Sequence, residues 1–104
     1  MKPLQGKTVV ITGGTAGIGK ACAQAMLAAG AEAIVINGRN PERGKSVRAA
    51  LTARFPEARV ALALGDMAQV ADAQAVIAAA IGKLGRIDVL VNSTGTNDLP
   101  ALLH

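Results

Sequence analysis

A chain of 104 residues can bury roughly two-thirds of its unfolded surface in one core, and its 51% apolar and 17% charged content excludes disorder and coiled coil. A single cysteine, Cys22, precludes an internal disulfide, no run reaches membrane-span length, and the apolar stretch Val9 to Ile11 is too short for a signal peptide, so a soluble cytoplasmic protein with residues 1–104 as one domain is expected. The net charge of +4 lies wholly between Arg39 and Arg59, yet one Phe, no Tyr, no Trp and no zinc-finger spacing argue against nucleic acid as the partner.

In chain order, Thr8-Val-Val-Ile-Thr12 is a β-branched run ending in glycines and predicts a buried strand. From Gly17, residues Ile18, Ala21, Cys22, Ala25, Met26 and Ala29 follow helical spacing, and Gly30 closes the helix. Ala33-Ile-Val-Ile-Asn37 predicts the second strand. Asn40-Pro41 supplies a cap and a first-turn proline for a helix over about Glu42 to Arg54, with Val47, Ala50 and Leu51 inward. Arg59 to Leu64 predicts the third strand, and Asp66 can cap the helix that follows. In that third helix Val70, Ala73, Ile77, Ala80, Ile81 and Leu84 form the apolar stripe; Ile87-Asp-Val-Leu-Val91 predicts the fourth strand.

This β-α-β-α-β-α-β order with near-continuous apolar strands predicts an α/β fold, a parallel sheet covered by helices. With strands in the order 3-2-1 and right-handed crossovers, the first two helices share one face and the third lies on the other, placing strand 4 beside strand 1. Strand 4 is then an edge with apolar residues on both sides.

The glycine-rich turn Thr12-Gly-Gly-Thr-Ala-Gly-Ile-Gly19 joins the first strand to the first helix. Glycines at 13, 17 and 19 allow a tight turn and close backbone approach to a diphosphate, whose charge suits the free N–H groups and dipole of a helix start. Gly14, four residues and Gly19-Lys20 nearly spell the phosphate loop of nucleotide hydrolases, with Leu64-Gly65-Asp66 as its acidic strand end. Ala21, however, has no hydroxyl to hold magnesium. The spacing G-x-G-x-x-G fits imperfectly as well, because Cys22 follows Gly17 and Gly19 where Gly or Ala is expected.

What remains, T-G-x-x-x-G-x-G, resembles the cofactor loop of the short-chain dehydrogenase/reductase family, and the resemblance runs along nearly the whole chain. Thr12, Gly13, Gly17 and Gly19 match the loop, and Asp66 stands where the family has an adenine-contacting Asp. Gly85-Arg-Ile-Asp-Val-Leu-Val-Asn92 looks like the approach to the family's N-N-A-G motif, written here Asn92-Ser93-Thr94-Gly95 with departures at Ser93 and Thr94. The resemblance implies the first half of a Rossmann-like doubly wound sheet. It also implies cofactor contacts from Thr12, Gly13, Thr15, Gly17, Ile18 and Gly19, from Asp66 and Met67, and from Asn92, Thr94 and Gly95.

The second strand ends in Asn37-Gly38-Arg39, with no acid to bind a ribose 2′-hydroxyl. Arg39 offers a forked cation to a 2′-phosphate, so NADP is expected in preference to NAD. By resemblance the reaction is hydride transfer between nicotinamide and a small hydroxyl or carbonyl substrate in a homo-oligomeric complete protein, with a Tyr, a Lys and a Ser moving the proton. This chain has no Tyr, and its serines are Ser46 and Ser93. It is therefore read as the cofactor-binding portion, without catalytic residues of its own, of a protein more than twice as long, and membranes are not an expected partner. A binding-only dinucleotide sensor and, more weakly, a phosphate-loop hydrolase are the alternatives.

Overall fold

The four predicted runs form strands β1 Thr8–Thr12, β2 Ala33–Gly38, β3 Arg59–Leu64 and β4 Val89–Asn92. The computed structural model describes residues 2–15 and 17–93. Its strands form one parallel sheet in the order β3-β2-β1-β4. The two central strands are buried at every position, with Val9, Val10, Ile11, Ile34, Val35 and Ile36 fully inaccessible. Burial on both faces explains why these strands read as unbroken apolar runs.

Helices α1 Gly17–Ala28, α2 Pro41–Arg54 and α3 Val70–Leu84 alternate with the strands. Asn40 caps α2 by accepting the Arg43 N–H at 3.0 Å, and Pro41 occupies the first turn, as the sequence predicts. One core joins Val9, Ile11, Ile34 and Ile36 to α1 and α2; the other joins Val10, Ala33, Val35 and Ala63 to α3. The helices thus divide two and one across the sheet, as the crossover rule requires.

The helix faces match their sequence assignment at Val47, Leu51, Ala80 and Leu84 and differ from it elsewhere. In α1 the sheet receives Gly19, Ala23 and Leu27, while Ala21 and Ala25 are exposed, Cys22, Met26 and Ala29 are half-buried, and Ile18 is 77% exposed. Small residues at 19 and 23 let the helix backbone approach the sheet, and an alanine-rich helix has too broad an apolar arc to announce which stripe does so. In α2 the inner residues are Gly44, Val47 and Leu51, and Ala50 faces solvent. In α3 they are Val76, Ala80 and Leu84, with Val70 and Ile81 exposed. Strand β4 starts two residues later than predicted, because Asp88 turns its carboxylate to the start of β1 and accepts the Thr8 N–H at 2.8 Å.

Candidate functional site

All four strands point their C-terminal ends to the same edge, with Thr12 opposite Asn92 and Gly38 opposite Leu64. Between β1 and β4 the strand order reverses. That is the crevice in which open α/β sheets bind ligands. The glycine-rich turn leaves β1 at this point and enters α1.

Two glycines of the turn have distinct physical reasons. Gly17 begins α1 at φ +55°, in the left-handed region, and among the described residues no atom lies within 4 Å of where a Cβ would stand. The space above it is open, as a cradle for a diphosphate requires. Gly19 is buried, and a Cβ there would run into the Gly13 carbonyl and the Ser93 hydroxyl. Helix α1 has no acidic residue in its first turn, so its dipole and unpaired N–H groups remain available to an anion. Ile18 stands exposed beside them.

Thr12 lies beneath the turn rather than in the opening. Its hydroxyl donates to the Asn92 side-chain oxygen at 3.0 Å and to the Val91 carbonyl at 3.3 Å. Its own carbonyl accepts the Ser93 hydroxyl at 2.6 Å and the Ser93 N–H at 3.0 Å. Ser93, a departure from the family motif, therefore fastens the end of β4 to β1. Thr94 and Gly95 lie outside the described residues.

A second opening of about 370 Å³ lies beyond β2 and β3, lined by Arg39, Pro41, Leu64, Gly65, Asp66 and Asp72. Arg39 is exposed at its rim, and Gly38 before it is buried against Thr15. Asp66 accepts the Ala68 N–H at 2.9 Å through one oxygen, so it shapes the turn before α3; Gln69 occupies the α3 cap position. Asp72, which the sequence did not single out, accepts the Asp66 N–H at 2.9 Å and holds that turn to α3. Met67 packs against the α3-side core and does not line this opening.

Asn37 is the other residue that motif reading passes over. It is 1% exposed, its side-chain oxygen accepts the Gly13 N–H at 3.2 Å, and its amide donates to the Ala63 and Gly65 carbonyls, both at 3.1 Å. A polar residue at the end of a fully buried strand was the available signal, because such a group must find partners. Among the described residues no cluster of His, Cys, Asp or Glu could hold a metal ion, and no helix is long and apolar enough to cross a membrane.

Comparison with known proteins places these features in context. A family model described as short chain dehydrogenase matches residues 7–103. An uncharacterized oxidoreductase of Methylorubrum extorquens is 38% identical over 103 residues, covering 98% of this chain and 40% of the relative. The NAD(+)-dependent 15-hydroxyprostaglandin dehydrogenase of Mus musculus is 33% identical over 95 residues, 91% of this chain and 35% of the relative. The crystal structure of L-sorbose reductase from Gluconobacter frateurii, complexed with NADPH and L-sorbose, superposes with a TM-score of 0.84 at 34% identity. It shares 89% of this chain and 35% of its own. The chain thus spans 40% or less of the length of each of these proteins.

Proposed function

The chain belongs to the short-chain dehydrogenase family, and from that membership we propose that it is the cofactor-binding portion of an NADP-preferring oxidoreductase acting on a small hydroxyl or carbonyl substrate. The observation that carries the preference is Arg39 at the rim of the cleft beyond β2, with buried Gly38 in the place where an acid would select NAD. A relative named for NAD and a neighbour that holds NADPH both occur, so the proposed preference rests on Arg39. Its guanidinium can form charge-assisted, forked hydrogen bonds to a 2′-phosphate.

The open cradle over Gly17 fits a diphosphate. In this reading Gly13, Thr15, Gly17, Ile18 and Gly19 surround it, Thr12 supports the turn from below, and Asp66 borders the adenine side, with Met67 after it packed against the α3-side core. Asn92, with Thr94 and Gly95, takes the nicotinamide side. When bound, the nicotinamide supplies or accepts the hydride. The residues of this chain bind and orient the cofactor; with no Tyr among the 104 residues, proton transfer falls to groups outside them. A homo-oligomer is the assembly proposed for the whole protein.

Titration of the chain and of Arg39→Ala with NADPH and NADH tests the assignment. The parent should prefer NADPH, and the substitution should remove about 1–3 kcal/mol of that preference. Equal affinities in the parent, or an unchanged ratio in the variant, would reject it.

A further inference from the structure

We infer that, given the dinucleotide reading above, Asn37 is a positioning residue whose buried amide couples the diphosphate side of the site to its adenosine side. Two separate stretches of main chain meet on this one group: Gly13 at the start of the glycine-rich turn, and the end of β3 through Ala63 and Gly65, the second of which lines the Arg39 cleft. Among the described residues no other side chain is bonded to both the turn after β1 and the end of β3. The amide's orientation is set by its neighbours, because its nitrogen faces two carbonyls and its oxygen faces an N–H.

The backbone reinforces the same junction. Asn37 also accepts the Gly14 N–H through its carbonyl at 2.8 Å, and Gly65 donates to the Gly38 carbonyl at 3.1 Å. The first bond holds the turn to β2 and the second holds the β3 end to β2. Only the Asn37 side chain spans all three. Its partners are all main-chain groups, one buried and two part-buried, so no rotamer change elsewhere restores them, and a truncated side chain leaves an N–H and two carbonyls without it. The turn and the end of β3 would then each keep a backbone bond to β2 but lose the one side-chain tie that joins them directly, so their separation would be held less tightly. A dinucleotide must engage both at once and depends on that separation; a ligand engaging one side does not.

The test compares a whole ligand with half of one. NADPH spans both sides, whereas adenosine 2′-monophosphate reaches only the adenosine side. In Asn37→Ala, NADPH affinity should fall about tenfold or more, while adenosine 2′-monophosphate affinity should stay within about twofold. Asn37→Ser, which can restore one bond, should lie between. Thermal melting verifies that each variant is folded. A purely structural role would weaken both ligands alike, and that result, or unchanged NADPH binding, overturns the inference.

Hydrogen exchange on the unsubstituted chain gives a measurement that needs no variant to fold. Adenosine 2′-monophosphate should slow exchange of the Gly13 amide across the Asn37 bridge; no slowing in the bound chain overturns the coupling. A parent chain that binds neither ligand rejects the dinucleotide reading itself, and the role of Asn37 falls with it. A parent that binds NADPH while Asn37→Ala binds it equally rejects only the role of Asn37.

Discussion

At Gly38 the end of β2 packs directly against the glycine-rich turn. A Cβ at this position would collide with the Thr15 hydroxyl and would lie 2.7 Å from Thr15 Cγ2 and 3.1 Å from Thr15 Cβ. Thr15 is itself buried and β-branched, so it has little freedom to turn aside. Gly38→Ala should therefore destabilise the fold by about 1–3 kcal/mol, and adding Thr15→Ala, which removes the hydroxyl and the methyl, should recover much of that loss. Urea unfolding of the parent, both single variants and the double variant measures the coupling. Strict additivity would mean that the two residues do not oppose each other. In the sequence Gly38 is legible only as a place without an acid. That Thr15 fills the room an acid would need is a fact of distance between chain segments 23 residues apart.

Among the elements, β4 is the one whose placement depends most on side chains. At its C-terminal end Thr12, Asn92 and Ser93 tie it to β1. At the other end, the Asp88 carboxylate accepts the Thr8 N–H, the Thr8 hydroxyl at 3.1 Å and the Arg86 guanidinium at 3.1 Å, while Arg86 also donates to the Gly6 carbonyl at 2.9 Å. The Thr8 N–H is the chief cause that holds the Asp88 carboxyl below the ordinary carboxylate range; Arg86 and the Thr8 hydroxyl add to it, against an opposing desolvation. The charged form is thus favoured by folding. Its stabilisation is complete above the unfolded-state value and is lost as pH falls through the folded one. Asp88→Asn should melt below the parent at pH 7, and the two should begin to converge below about pH 4. A gap independent of pH would exclude the carboxylate as its source. Reading Asp88 as a structural residue at a strand entrance was within reach of the sequence, whereas the burial of Gly19, Ala23 and Leu27 in α1 was not, since alanine contributes to every face alike.

Across the whole molecule, the sheet is covered unequally. Helix α3 packs over β2 and β3, and Leu90, in register with Val10 on that same face, remains 56% exposed on the edge strand. Helix α3, which packs on the same face of the sheet, presents an apolar groove lined by Ala73, Ile77 and Ile81, with Ile81 49% exposed. An edge strand with an exposed apolar face invites pairing or association. The 104-residue chain in isolation should therefore self-associate, and Leu90→Lys should shift it toward monomer, as read by sedimentation velocity across a concentration series. A parent that stays monomeric throughout would show that this face does not drive association.

Sequence alone determined the order and type of the elements, because short apolar runs and helical stretches bounded by caps and glycines are local patterns with few competing solutions. With the first three strands taken in the order 3-2-1, the handedness of crossovers placed the third helix on the opposite face and strand 4 beside strand 1, and the glycine-rich turn and Arg39 were legible as candidate cofactor contacts from their residue types. Only the tertiary structure decided which stripe of each alanine-rich helix meets the sheet, how Thr15 excludes a side chain at 38, and that Asn37 and Ser93 bind the strand ends together. Those outcomes depend on atoms brought within about 3 Å of one another by folding, and no periodicity along the chain encodes a contact between residues 37 and 13 or between residues 93 and 12.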